Sequence, residues 1–161
     1  ISEAIRGLID KGDQRRKECP DFQGPYIVAS PGNSGSCRKS WPAALPEVIS
    51  VGAICANGPA WFSNFGPWVK ACAPGVDIVS KFFYRDAPAD PPPPIPVDAD
   101  GAHFEGWARW GGASFSAPIV VGALLQRRHL GGTLDDAVQS LIYDPKLTRM
   151  PGLGAIVNVH P

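Results

Sequence analysis

The feature that most constrains the fold of this sequence is a short segment that is apolar on every side. Residues 117–125 carry no charge, and a polar run at 126–128 follows directly. A helix that is apolar all round must be covered on all its faces. We therefore expect a buried helix that emerges at the surface near Gln126, with Pro118 tolerated only in its first turn. The segment is too short to cross a bilayer, which takes about 20 apolar residues.

Apolar segments upstream of this helix have the composition of buried strands. An amphipathic helix over residues 2–12 is predicted before them, with Ser2 as its cap and Gly12 as its end. Turn-forming residues follow the first and the last of these segments. The three predicted strands cover residues 26–29, 47–54 and 68–72.

The order of the predicted elements favours an α/β fold. Thr133 caps a further helix over 133–143, and a closing strand covers 152–159. Helices that precede and follow strands in this way predict a three-layer architecture, in which a mainly parallel sheet is flanked by helices. The chain, 1–161, is then one domain with a surface insertion at 86–100, because the six prolines of that segment exclude a helix or an inner strand.

Charge and cysteine content exclude several classes of partner. Fifteen basic residues balance fifteen acidic ones, so we expect neither nucleic acid nor a membrane as a partner. The four cysteines lack metal-ligand spacing and the three histidines do not cluster near them, so no metal and no cofactor is expected. In an exported protein, Cys19 and Cys37 are the first pair to test for a disulfide, whereas Cys55 and Cys72 could equally be buried thiols.

Two polar residues lie where they could take part in catalysis. Ser114 lies between small residues and the apolar helix, where the helix dipole and free N–H groups stabilise negative charge. Asn33 lies in a glycine-flanked loop after a strand, where its amide could donate to an oxyanion. Taken singly, each residue also has a favoured structural explanation, because serine is a common helix cap and asparagine tolerates turn geometry.

Several motifs resemble those of the subtilisin-like serine peptidases. Residues 112–118, Gly-Ala-Ser-Phe-Ser-Ala-Pro, resemble the family's serine motif Gly-Thr-Ser-Met/Phe-Ala-Ala-Pro, with departures only at Ala113 and Ser116. By this resemblance the chain is the C-terminal part of a subtilase catalytic domain. Further segments resemble family signatures in the family's order, at residues 30–33, 41–53, 62–66, 73–76 and 152–159.

The resemblance implies a role for each candidate residue. Ser114 would be the nucleophile that forms an acyl-enzyme with a polypeptide substrate, and Asn33 would help the backbone N–H of Ser114 to bind the oxyanion. Ser30, Pro31 and Gly32 would border the pocket for the substrate side chain that precedes the scissile bond. Pro31 stands where the family commonly has alanine, so a backbone donor is missing there. The resemblance also implies a secreted or cell-envelope protein.

The catalytic Asp and His motifs of the family do not occur in these 161 residues. A serine hydroxyl needs a base, and His103, His129 and His160 lie at none of the family's base positions. We therefore expect the chain alone to be inactive and to pair with the missing N-terminal half of the same domain. An isolated half would expose a sheet edge, so we also expect poor solubility. The alternative is a non-catalytic remnant that acts as a binding or structural module.

Overall fold

The computed structural model describes residues 1–19, 22, 24–85 and 104–158, without the side chains of 83–85 and 104–105. The predicted insertion at 86–100 lies outside the described residues, as do His103, His160 and the end of the predicted closing strand. The chain forms two compact units. One comprises Ile1–Val76 with Gly112–Pro161, and the other comprises Asp77–Gly111.

The described residues form helices, a π-helical turn and strands. In chain order they are α1 (Ser2–Glu18), β1 (Ile27–Ala29), β2 (Val48–Cys55), β3 (Gly58–Pro59), β4 (Ala71–Pro74), β5 (Ile78–Arg85), β6 (Phe104–Trp110), α2 (Ala113–His129), α3 (Leu134–Val138), the π-helical turn Gln139–Tyr143, β7 (Arg149–Met150) and β8 (Gly154–Ile156). None of the described helices has the length and the apolar character that a membrane span needs.

The larger unit is built on a six-stranded sheet with the order β1-β2-β4-β8-β7, and β3 pairs with β2. The strands β1, β2, β4 and β8 run parallel to one another. Strand β3 is antiparallel to β2, and β7 is antiparallel to β8. The prediction of an α/β fold with a mainly parallel sheet flanked by helices is therefore confirmed. Among the described strands, β1 lies at one edge of this sheet and pairs with β2 alone.

Helices α2 and α3 pack against one face of the sheet. Alternate strand residues point toward them, because the side-chain period of a strand is two. Ala71 and Ala73 of β4 are fully buried on this face, and their small side chains let α2 approach the sheet closely. The buried cluster here comprises Ile49, Val51, Ala71, Ala73, Val120, Ala123, Leu124, Ala137, Val138, Ile142 and Val157.

The opposite face of the sheet is covered by loop residues rather than by α2 and α3. Ile54 and Cys72 point to this side, one residue out of phase with the strand positions that face α2. Val69 lies in the loop before β4 and Leu153 in the turn before β8, and both pack against them. Each face of the sheet thus carries its own apolar cluster, and a third, smaller cluster is formed by Ala53, Ala60 and Ala113 near the start of α2.

Helix α2 differs from its prediction in two respects. It begins at Ala113, so Pro118 lies inside the helix rather than in its first turn. The helix is also not covered all round, because Val121 and Leu125 remain 38% and 52% exposed. Both differences have one physical cause. One side of α2 packs against the sheet and against α3, and the free energy gained from this packing outweighs the cost of an interior proline.

Helix α1 is longer than predicted, because it continues through Gly12 to Glu18. Gly12 is buried, and a side chain there would meet the ring of Pro25. The glycine therefore serves close packing, and it does not end the helix. Two residues of the predicted apolar face, Ala4 and Leu8, are exposed in the described chain.

Three further elements were misplaced or missed. The third strand was predicted at 68–72, but β4 begins at Ala71, where its pairing with both β2 and β8 starts. The helix predicted at 133–143 is α3 followed by a π-helical turn, and its predicted cap Thr133 is confirmed. The hairpin of β5 and β6, with a register shift between Lys81 and Tyr84, was not predicted.

The four cysteines lie within the described residues, and each is a free thiol. The disulfide that was considered first, between Cys19 and Cys37, is therefore not formed. Both of these thiols are exposed, whereas Cys72 is fully buried.

Candidate active site

The site is built around the first turn of α2, which carries Ser114. The N–H of Gly112 donates to the carbonyl of Gly75 at 2.7 Å, and this bond anchors the start of the helix to the end of β4. Ser114 is exposed, although Gly112 and Ala113 before it are buried. N–H groups in the first turn of a helix have no acceptor within the helix, so the Ser114 N–H can donate to a ligand.

Ser116 fixes the same turn from the buried side. Its hydroxyl donates to the carbonyl of Pro74 at 3.1 Å, and the residue is fully buried. A side chain at Gly75 would meet this hydroxyl and the methyl of Ala53. Ser116 is one of the two departures from the family motif. Its hydrogen bond to Pro74 aligns α2 with β4, so its role here is structural.

Asn33 lies directly beside this turn. Its side-chain oxygen Oδ1 accepts a hydrogen bond from the N–H of Ala113 at 2.8 Å. A Cβ at Gly112 would lie 3.4 Å from the amide nitrogen Nδ2 of Asn33. The structure thus brings the two predicted residues, Asn33 and Ser114, to one place. Because Oδ1 is already engaged, the free part of the Asn33 amide is its N–H donor.

The residues predicted to border the substrate pocket follow β1. The strand ends at Ala29, which is opposite Ser50 in β2, so the N–H that Pro31 lacks is not needed for the described sheet. Pro31 is fully buried. Gly32 has a φ of 105°, a conformation that favours glycine.

The sequence did not single out Asn64, although in the structure its side chain makes hydrogen bonds to three residues around Asn33. The residue is 5% exposed. Its Oδ1 accepts from the N–H groups of Ser34 and Ser36, at 2.9 and 3.1 Å. Its Nδ2 donates to the carbonyl of Pro31 at 2.9 Å. Asn64 lies in residues 62–66, a segment that resembles a family signature, but that resemblance did not indicate that Asn64 binds the loop at Asn33.

None of the described residues supplies a histidine near Ser114. His129 is the last residue of α2 and Ser114 its second, so the helix rise separates them by about 22 Å. The described residues also contain no group of three or more His, Cys, Asp or Glu side chains that could hold a metal ion. The groups that meet here are a serine hydroxyl and N–H donors, and the part of the chain that the structure describes places no histidine beside them.

A cavity of about 500 Å³ lies near the opposite end of α2 and does not include Ser114. Its lining includes Arg127, Tyr143 and Lys146. Burial raises the pKa of Tyr143 above its ordinary value. This cavity is separate from the Asn33 and Ser114 pair.

No protein-family model matches the chain. The thermophilic serine proteinase of Bacillus sp. (strain AK1) is 49% identical over 59 residues, which are 36% of this chain and 15% of that protein. The extracellular basic protease of Dichelobacter nodosus is 30% identical over 118 residues, which are 72% of this chain and 17% of that protein. Among solved structures, the prenylagaramide maturation protease PagA superposes with a TM-score of 0.55 at 26% identity, over 91% of this chain and 52% of PagA.

The chain therefore matches only part of the length of each of these proteins. The chain spans less than a fifth of the length of these two curated proteases and about half of the solved structure. The solved structure matches nearly all of the chain, so the similarity extends beyond the short serine motif.

Proposed function

We propose that this chain, which is related to the subtilisin-like serine peptidases, supplies the nucleophile Ser114 and the oxyanion donor Asn33 of a serine endopeptidase. The full protein hydrolyses peptide bonds through an acyl-enzyme. The Ser114 oxygen attacks the scissile carbonyl, and the amide of Asn33 and the N–H of Ser114 donate to the oxyanion that forms.

One observation carries this proposal: the 2.8 Å hydrogen bond from the Ala113 N–H to Asn33 Oδ1. It turns the carbonyl side of the Asn33 amide toward the helix backbone and leaves its N–H side free. Two donors from different parts of the chain thus lie beside an exposed serine. Removal of one such donor costs about 2.7–4 kcal/mol of transition-state stabilisation in a serine peptidase.

The substrate of the full protein is a polypeptide. Ser30, Pro31 and Gly32 border the pocket for the side chain that precedes the scissile bond, because they lead directly into Asn33. The protein works outside the cytoplasm, in the medium or the cell envelope. The extracellular basic protease among its relatives supports this location.

The chain alone is inactive, because the nearest described histidine, His129, is about 22 Å from Ser114 along α2. The base and the residue that orients it come from the N-terminal half of the catalytic domain, which is the partner of this chain. The same observation favours a second candidate function, a non-catalytic module that keeps the fold and binds polypeptides without cleaving them.

An external base distinguishes the two functions. The purified chain is incubated with an activated acetyl ester, with and without imidazole, and the acetylated residue is located by peptide mass mapping. We expect acetylation of Ser114 that depends on imidazole, is abolished by Ser114→Ala and is slowed by Asn33→Ala. Ser34→Ala is the matched control, because Ser34 is an exposed serine in the neighbouring loop. Labelling of Ser114 no faster than that of Ser34 would favour the non-catalytic module.

A further inference from the structure

The side chain of one buried residue, Asn64, makes three hydrogen bonds to the loop that carries Asn33. Backbone bonds from the Gly35 N–H to the carbonyl of Phe62 at 2.7 Å and from the Phe65 N–H to the carbonyl of Ser36 at 3.1 Å hold the far end of the same loop. Asn64 brackets Asn33 on both sides: its Nδ2 donates to the carbonyl of Pro31, and its Oδ1 accepts from the N–H of Ser34. The backbone N–H of Asn64 adds a bond to the carbonyl of Gly32 at 3.0 Å. Both peptide units next to Asn33 are therefore tied to one residue.

The arrangement leaves Asn64 little freedom. Its amide oxygen faces two donors and its amide nitrogen faces an acceptor, so a flipped amide would lose three hydrogen bonds. The next residue back is held as well, because the Ser63 hydroxyl accepts from the N–H of Ala53 at 2.9 Å and donates to the carbonyl of Asn64 at 3.1 Å. Strand β2 thereby fixes Asn64, and Asn64 fixes the loop.

We propose that Asn64 is a positioning residue, which sets the direction in which the Asn33 amide donates to the oxyanion. This inference rests on the proposed function of Asn33 and Ser114. A hydrogen-bond donor contributes to catalysis only when it is aimed at the place where charge develops. The loop contains Gly32 and Gly35, both at positive φ and with the conformational freedom of glycine, so the side-chain bonds of Asn64 add a restraint next to Asn33 that these two residues do not supply themselves.

A peptide boronic acid tests the proposal with the whole chain. The Ser114 oxygen adds to the trigonal boron, the hydroxyl proton goes to the buffer, and no bond to boron breaks. The product is a tetrahedral anion that needs the oxyanion donors, and boron NMR reports its affinity. We expect Asn33→Ala to weaken binding by about 10²–10³-fold, the loss that removal of one oxyanion donor produces in kcat. We expect Asn64→Ala to weaken it by about tenfold or more, within the range of coupled neighbours.

A double-mutant cycle separates positioning from general damage. If Asn64 acts through Asn33, Asn64→Ala has almost no further effect once Asn33→Ala is present, within about twofold. Equal losses in both backgrounds would overturn the proposal. Asn64→Ser, whose hydroxyl can replace one of the three side-chain bonds, should give an intermediate loss and serves if Asn64→Ala does not fold.

Ser50→Ala is the matched control, because Ser50 is also a fully buried polar residue and its hydroxyl donates to the carbonyl of Trp68, away from the loop. It should lower stability without lowering boronate affinity. Hydrogen exchange at the Ala113 N–H gives a second readout that needs no probe, because that N–H bonds to Asn33 Oδ1. We expect Asn64→Ala, but not Ser50→Ala, to speed this exchange. Unchanged exchange would overturn the positioning role, whereas equal boronate binding by Ser114→Ala would overturn the proposed function instead.

Discussion

Replacement of Gly32 by alanine tests whether the buried amide of Asn64 holds the loop that carries Asn33. Gly32 has a φ of 105°, and a Cβ there would lie 2.6 Å from Asn64 Nδ2 and 3.3 Å from its Cγ. The backbone strain of a residue other than glycine in such a conformation costs about 1–3 kcal/mol. Asn64 cannot move aside without losing buried hydrogen bonds, each of which costs about 1–3 kcal/mol when a partner is left unsatisfied. We therefore expect a total loss of about 3–5 kcal/mol in the free energy of unfolding.

Gly58→Ala is a control that separates the backbone strain of a positive φ from the steric contact with Asn64. Gly58 has a φ of 132°, but nothing lies within 4 Å of the place where its Cβ would be. It should show the backbone strain alone, about 1–3 kcal/mol. Urea unfolding followed by tryptophan fluorescence measures both variants, and an unchanged denaturant slope confirms that the unfolded states are comparable.

The difference between the two variants decides the outcome. A cost for Gly32→Ala equal to that of Gly58→Ala would refute the reasoning, because the contact with Asn64 would then contribute nothing. In the background of Asn64→Ala the extra cost of Gly32→Ala should disappear, since the clashing amide is gone. Persistence of the full cost in that background would assign it to the backbone instead.

Other perturbations test the packing of the larger unit. Gly122→Ala should stabilise the chain by about 0.5–1 kcal/mol in urea unfolding, because Gly122 lies inside α2 and nothing lies within 4 Å of the place where its Cβ would be. Burial raises the pKa of the Cys72 thiol to about 12, so iodoacetamide at pH 8 should alkylate the exposed Cys37 and leave Cys72 unmodified until the chain unfolds. Burial and the hydrogen bond to Asp135 raise the pKa of Tyr26 from 10.0 to about 12, so a stability contribution present below pH 10 is lost as the pH rises toward 12. Tyr26→Phe should flatten that part of a stability–pH profile, and an unchanged alkaline slope would show that Tyr26 is not responsible.

The elements that local patterns predicted well are those whose own residues decide them. The strand β2 is a largely buried run of residues that are apolar or small apart from Ser50, and Thr133 with Asp136 forms a capping box within four residues. Helix α1 was predicted too short, because Gly12 packs against Pro25, which lies beyond the end of the helix in the sequence, and the periodicity of residues 2–12 contains no sign of that contact. The start of β4 depended on pairing with strands before and after it in the chain, so the composition of 68–72 could not place it.

The candidate site divides in the same way. Local features alone favoured structural explanations for Ser114 and Asn33, and both became candidates through the resemblance of contiguous motifs to the subtilisin-like peptidases. Their meeting, through the Ala113 N–H and Asn33 Oδ1, joins residues 80 positions apart. The bonds of Asn64 to the loop span about 30 positions, from 28 to 33.

From the sequence alone, apolar periodicity and turn residues predicted the fold class, whereas the resemblance of contiguous motifs indicated the family relationship and pointed to Ser114 and Asn33 as candidate site residues. Apolar periodicity and glycine placement are local consequences of burial and backbone freedom, and they can be recognised without coordinates. Only the tertiary structure decided which half of the Asn33 amide is free and which buried side chain bonds to its loop. Hydrogen-bond direction and distance depend on how separate segments pack, and one segment read along the chain does not contain that information.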